Sequence, residues 1–345
     1  MAGCTQVSTP SGSCPERFTS AVIWSSPTSR NSSVQFFDGD RLVGEIAIRV
    51  QGLDPSGQAP IWAHGQVATL STGDAKHDQS NIVAFSPTTC EVILTRLNEP
   101  VALNLASLDD GYLTVSNLNN VSYLRKYSPG NSKPVRTTPY QDEFITAALT
   151  SDGQVYAEAE SLLKPGTVSL ITAKASDLSE IDRLELPELT GGGLSMTLAA
   201  GKLVIPITLD ATENEDSRLL VVDPATHAMH TIELGYASPY YVHSVGDTVY
   251  VAHTFINPGF HPFSSYRRVS VVDMTNESVT GHDLSTGVQR IAVTSTSLAA
   301  LGQDTDETPV LHTYSLPDFK QLVKIRLSPP ASVPNAYAAS VFLPE

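Results

Sequence analysis

The stretch Leu219-Leu220-Val221-Val222-Asp223-Pro224-Ala225-Thr226 runs on to Thr231-Ile232-Glu233-Leu234. Fifty residues later, Val269-Ser270-Val271-Val272-Asp273-Met274-Thr275-Asn276 runs on to Gly281-His282-Asp283-Leu284. Each segment reads as a strand, an Asp-led turn and a second strand. The Asp carboxylate suits such a turn because it accepts backbone N–H groups just ahead of it.

Weaker copies fill the chain. Ser169 to Leu186 and Leu311 to Leu327 follow the same plan, and Val83 to Leu97 and Tyr123 to Val135 follow it loosely. Val34 to Ile48 is a hairpin with Asp38-Gly39 at its turn. The hairpins end near Ile48, Leu97, Val135, Leu186, Leu234, Leu284 and Leu327, about 46 residues apart. Four ordinary strands and their turns consume about that length, as in a propeller blade. Before the outer hairpins lie paired short apolar runs around tight turns. Examples are Leu194 to Leu198 with Lys202 to Leu209, and Tyr241 to Val245 with Thr248 to Phe255. Such spacing argues for an all-β chain. The best helical stretch is Tyr156 to Leu163, stopped by Lys164-Pro165-Gly166.

The expected fold is therefore a seven-bladed β-propeller of four-stranded antiparallel blades. Blade 1 offers only three strands, Ala21 to Ser25, Val34 to Phe37 and Leu42 to Ile48. The C-terminal run Tyr337 to Leu343 has no partner after it, so it is expected to close the ring as the innermost strand of blade 1. Closure removes open sheet edges. Residues 1–17 read as a flexible tether and 18–345 as a single propeller domain.

The run Val221-Val222-Asp223-Pro224-Ala225-Thr226, with Val249-Tyr250-Val251 and Val271-Val272-Asp273, resembles the YVTN repeat of YncE-like propellers. The resemblance covers residues 100–330 and is sharp in two blades. It implies a seven-bladed ring and extracytoplasmic binding proteins, and no shared activity. WD repeats fit less well, because Trp24 and Trp62 precede Ser and Ala rather than Asp.

The 345 residues are 41% hydrophobic and 17% charged, a globular balance. Acids outnumber bases 36 to 21, giving a net charge of −15. No basic cluster exceeds Arg125-Lys126 and Arg267-Arg268, so nucleic acid is excluded as a partner. No apolar run is long enough to span a membrane as a helix.

Of the three cysteines, Cys4 follows Met1-Ala2-Gly3 and precedes a Ser/Thr/Pro/Gly stretch. Ala-Gly-Cys with that tether resembles the mature start of a bacterial lipoprotein. The resemblance implies lipidation at Cys4, with Met1 an added initiator, and an extracytoplasmic protein held to the cell membrane by its lipid. Cys14 and Cys90 then remain as an even pair able to form a disulfide in an oxidising compartment. Whether they meet depends on geometry the sequence does not give.

Ligands on propellers sit at the channel mouth, lined by loops between blades and between second and third strands. The most distinctive such stretch runs from His253 to Arg268 and holds two His, three Phe, a Tyr and two Arg. Aromatics with Arg are typical recognition anchors. The candidate ligand-binding residues are Tyr236, Tyr240, Tyr241, His253, Phe260, His261 and Arg267. The competing reading has the tyrosines filling gaps between blades. The acidic stretches Asp210 to Asp216 and Asp304 to Glu307 read as solvated turns rather than calcium loops, and no metal site or cofactor is expected. His77-Asp78, and His227 with His230, read as ordinary surface residues.

Two functions follow. One is a monomeric envelope recognition module, without chemistry of its own, that binds a protein, peptide or glycan at the mouth. The other is an envelope enzyme of the lactonase, lyase or glycan-hydrolase kind, with His243, His253 and Glu143 the nearest acid–base candidates. An enzyme should gather at least two such groups with displaced pKa values.

Overall fold

In the computed structural model, the described residues are 6–8, 11–54, 59–74, 79–99, 101–191, 193, 195–209, 215–254 and 266–345. They contain strands and turns and no helix. The strands form seven antiparallel sheets in chain order. Contacts divide the chain into two compact units where the sequence suggested one domain. The first is Met1–Gln141, Ala175–Ser179 and Leu327–Glu345, and the second is Asp142–Lys174 and Glu180–Arg326.

The first unit holds blades 1 to 3. Blade 1 orders Tyr337–Phe342, Ser20–Ser25, Ser32–Asp38 and Arg41–Ile48 from inside outward. The C-terminal strand thus completes the first blade as its innermost member, with Ala21 opposite Phe342 and Ser25 opposite Tyr337. In blade 2, two short inner strands, Val50–Leu53 and Ile61–Ala63, share one partner, Gln66–Asp74. Asn81–Phe85 and Val92–Arg96 follow. Blade 3 is Asn104–Leu108, Gly111–Leu118, Val121–Tyr127 and Arg136–Gln141. Its outer strand lies later than the hairpin end read at Val135, because Ser128–Asn131 forms a further turn. Pro139 is tolerated there because an edge strand has an N–H row to spare.

The second unit holds blades 4 to 7. Blade 4 is Glu143–Ser151, Gln154–Ser161, Val168–Lys174 and Glu180–Glu185. Blade 5 is Thr197–Ala199, Lys202–Leu209, Glu215–Val222 and Met229–Glu233. Blade 6 is Pro239–Val245, Thr248–His253, Arg268–Asp273 and Ser278–Asp283. Blade 7 is Arg290–Val293, Ser297–Gln303, Pro309–Ser315 and Lys320–Arg326. The stretch read as helical, Tyr156 to Leu163, is instead the second strand of blade 4 and its following loop. Its Ala and Glu residues favour a helix locally, but sheet pairing on both sides overrides propensity.

The apolar residues pack between neighbouring blades. Leu170, Leu186, Leu203 and Ile205 join blades 4 and 5. Val221, Ile232, Val251 and Val272 join blades 5 and 6. The two diagnostic turns are built as their sequence reads. Asp223 Oδ1 accepts the N–H groups of Ala225 and Thr226 at 2.9 and 3.1 Å, and Asp273 Oδ1 accepts that of Thr275 at 2.9 Å.

Among the described residues before Phe18, two short segments pair with the blades. Gln6–Ser8 adds an outermost strand to blade 2, and Ser11–Ser13 adds one to blade 1. Gly44 permits the close approach, since a Cβ there would lie 2.6 Å from the Ser13 carbonyl oxygen. Cys14, just after the second added strand, is disulfide-bonded to Cys90 in the turn before Val92–Arg96. The bridge closes a loop across a sequence separation of 76 residues and pins the N-terminal strands over two sheet edges. Replacing either cysteine by serine is expected to cost about 2–4 kcal/mol, because the unfolded chain regains that loop's freedom. Calorimetry with and without reductant checks this. A melting temperature indifferent to both reductant and Cys14→Ser would show that the bridge restrains nothing.

Candidate functional site

The candidate residues converge partly at one end of blades 5 and 6. The connecting loop Leu234–Ser238 turns through left-handed backbone at Gly235 (φ 65°) and Ser238 (φ 57°). The Ser238 N–H donates to the Asp216 carbonyl at 2.8 Å, and the Thr254 N–H donates to the Ser238 carbonyl at 3.0 Å. These bonds fix Tyr236 and Ala237 over the end of Thr248–His253. The Tyr236 ring is half-buried and meets the His253 ring edge-on at 5.0 Å.

His253 itself is completely buried, with both ring nitrogens occupied. Nδ1 lies 2.9 Å from the Ala237 carbonyl oxygen, and Nε2 lies 2.8 Å from Ser270 Oγ. A carbonyl only accepts, so Nδ1 carries the proton and the Ser270 hydroxyl donates to Nε2. Burial pushes the imidazole pKa down to about 4, and nearby Arg268 adds to this. A Ser–His hydrogen bond is also the geometry of an activated nucleophile. Here both side chains are wholly buried, which makes the pair a wall of the site rather than a reacting group.

Arg268 supplies the charge. It opens the third strand of blade 6, and its guanidinium stands 5.3 Å from the Tyr236 ring centroid. Nη1 donates to Asp283 Oδ1 at 3.0 Å, while Nε has no hydrogen-bond partner among the described residues. Gly281 makes room for it, since a Cβ at that position would fall 1.8 Å from Nη2. Tyr266 OH donates to Glu215 Oε1 at 2.7 Å, tying the chain just before Arg268 to blade 5. The result is a partly exposed aromatic–guanidinium pair, whose Nε is itself buried, backed by buried polar groups. Chemically it can grip a planar, anionic or hydroxyl-rich group.

Other candidates lie elsewhere. Tyr240 and Tyr241 are buried in the inner strand of blade 6, ring to ring at 4.5 Å, with Arg290 4.2 Å over Tyr241. They pack in the core between blades 6 and 7. Consecutive strand residues ordinarily face opposite sides, and the irregularity of the strand between Pro239 and Tyr241 lets both rings lie inside; burial raises the Tyr240 phenol pKa. Arg267 is half-buried beside the site, with its carbonyl accepting the Leu284 N–H at 2.6 Å. Phe260, His261, Cys4, His77 and Asp78 lie outside the described residues. Arg268 and Asp283, which sequence reasoning missed as site residues, are direct cross-strand partners in one antiparallel pair. Their register was the available signal.

The acid–base candidates do not meet. Glu143 is ion-paired with Arg183 in blade 4. His243 is bonded to the backbone of Val293, and burial holds its pKa below the usual range. Glu158 is fully buried in blade 4, where burial raises its carboxyl pKa to about 8. His227 and His230 bridge to neighbouring blades, at 2.6 Å from Asp182 and 2.7 Å from Glu277. Asp304 and Asp306 lie against Lys324 and Arg326 of their own blade. Among the described residues, no group of three His, Cys, Asp or Glu side chains is arranged to hold a metal ion.

No family model and no curated protein matches this chain. Solved structures do. The computationally designed Ika8 protein aligns with a TM-score of 0.59 at 11% identity, over 92% of this chain and 90% of its own. Synechocystis apocarotenoid oxygenase, in a mutant form, aligns at 0.54 and 13%, over 95% and 94%. The β-propeller domain of Myceliophteria thermophila Cps50 (Swd1) aligns at 0.54 and 11%, over 79% and 89%. At such identities the likeness concerns fold alone. Together with the seven sheets, it makes this chain a seven-bladed β-propeller.

Proposed function

We propose that this chain is an extracytoplasmic recognition module, of the YVTN type and anchored through a lipid on Cys4. Its ligand is a protein, peptide or glycan of the cell envelope, bound at the Tyr236–Arg268 end of blades 5 and 6. The observation that carries the reading is the partly exposed Arg268 guanidinium standing 5.3 Å from the half-buried Tyr236 ring. Tyr and Arg are the side chains that concentrate binding energy at recognition surfaces. The buried acid–base groups support binding over turnover, since His253 and Glu158 sit in separate blades without a shared contact. The Cys14–Cys90 disulfide supports an oxidising compartment and leaves Cys4 unpaired for modification.

Arrays of envelope glycans and peptides supply the test. A ligand found on the wild-type protein should bind at least about tenfold more weakly to Arg268→Ala and to Tyr236→Ala, a loss typical of anchor residues. Binding unchanged in both variants would remove the site from consideration. Incorporation of a labelled fatty acid, lost in Cys4→Ser, tests the anchor separately.

A further inference from the structure

A second surface lies at one end of blade 4. The loop after Gln154–Ser161 presents Leu162 and Leu163, exposed to 42% and 75%. Phe144, near the start of the inner strand, is 38% exposed. These three share a place. Phe144 pairs directly with Glu160, and Leu162 follows just beyond the strand end at Ser161. The Leu162 N–H donates to the Asp142 carbonyl at 2.8 Å, which fastens the loop to the inner strand.

The loop is tightly built. Ser161 N–H donates to the Thr167 carbonyl at 2.9 Å, and Thr167 N–H to the Lys164 carbonyl at 3.0 Å. Ser161 Oγ accepts the Lys164 N–H at 3.1 Å, and Gly166 completes the turn in left-handed backbone at φ 78°. The backbone is thus satisfied internally while two leucines face water. Such an arrangement costs hydration free energy and marks contact surfaces, and a preordered loop loses little entropy on binding.

Charge selects the occupant. Glu160 lies between Phe144 and Leu162, with Asp142 and Glu143 beside them. Glu143 is ion-paired with Arg183, and Lys164 is the one cation on the loop itself. An acid-rimmed apolar patch on a chain of net charge −15 opposes anionic lipid and a second copy of itself. It favours a basic segment with apolar anchors.

We propose that the Phe144–Glu160–Leu162–Leu163 surface is a docking site for a partner protein segment in which a Lys or Arg is flanked by Leu, Phe or Trp. The cation sits over Glu160, and the apolar side chains cover Phe144 and the two leucines. This surface stands independently of the Tyr236–Arg268 site.

A displayed random peptide library, selected on the intact protein, tests it. Enriched peptides are expected to share a basic residue beside large apolar ones. Each should bind at least about tenfold more weakly to Leu163→Ser and to Glu160→Gln, and unchanged to Arg268→Ala. Leu163 is exposed and Glu160 half-buried, and melting curves of both variants show whether they remain folded. No enrichment, enrichment of acidic or uncharged peptides, or selected peptides that bind the variants equally well would each overturn the proposal. So would Leu163-dependent binding to phosphatidylglycerol vesicles, or Leu163-dependent self-association in sedimentation.

Discussion

Truncating Phe342 to alanine is expected to cost about 3–5 kcal/mol of stability, the range for a large aromatic removed from a packed core. Phe342 is 3% exposed and is the hub of an aromatic cluster. Its ring centroid lies 5.8 Å from Phe85, 5.9 Å from Phe18, 6.2 Å from Phe36 and 6.3 Å from Trp62. It also belongs to the strand that completes blade 1, so loosening it exposes the edge of Ser20–Ser25. The chain end is held further by Trp62 Nε1 donating to the Leu343 carbonyl at 3.0 Å, and by Ser26 Oγ donating to the Pro334 carbonyl at 2.8 Å. Urea unfolding followed by tryptophan fluorescence is the measurement, since Trp24 and Trp62 both lie in the first unit. Phe342→Leu should lose markedly less. A Phe342→Ala midpoint indistinguishable from wild type would mean that the closing strand contributes little to the first unit.

The second large effect concerns pH. Glu158 is fully buried, accepts the Gly193 N–H on Oε1 at 2.5 Å, and leaves Oε2 without a hydrogen-bond partner among the described residues. Burial is the main cause that lifts its pKa from 4.5 to about 8. Glu160 adds to the rise, and the Gly193 N–H opposes it. The folded protein therefore holds this proton more tightly than the unfolded chain. Stability from this group is complete below about pH 4.5, falls as pH rises to about 8, and is flat above. At about 1.4 kcal/mol per pKa unit, the fall is on the order of 5 kcal/mol across the window. Glu158→Gln keeps the acceptor for Gly193 and has no proton to lose. It should match wild type near pH 5 and be clearly more stable at pH 8.5. His253 slopes the opposite way. Its depressed pKa makes stability fall as pH drops from 6.5 toward 4. The difference between wild type and Glu158→Gln isolates the carboxyl. Parallel melting-temperature profiles from pH 5 to 9 would show that Glu158 is not held protonated.

Much of the architecture is legible in the residues themselves because it is local. An Asp that caps a turn does so within three residues, so Asp223 and Asp273 marked their hairpins. The repeat length fixed the number of blades, and a blade one strand short pointed to Tyr337–Phe342 as its completion. Alternation also identified the outer strands. In Arg41–Ile48, Ile46 and Ile48 are buried while Glu45 and Ala47 are only half-buried. The second strands carry no such alternation, because they are buried on both faces. That is why Tyr156 to Leu163 read as the best helical stretch.

The site depended on what lies across a blade interface, which no local pattern encodes. Tyr240 and Tyr241 look like ligand-binding residues in sequence, and they are core because blade 7 covers them. His253 lost its acid–base prospects to Ala237 and Ser270, residues 16 and 17 positions away. Arg268 rather than Arg267 reaches Tyr236, a choice made by one step of strand register. The pairing of Cys14 with Cys90 required the N-terminal strands to lie over blades 1 and 2. Turns, strand periods and the blade count are short-range properties, and the sequence alone determined them. Burial, ring contacts and the placing of Arg268 beside Tyr236 arise between segments far apart in the chain, and only the tertiary structure decided them.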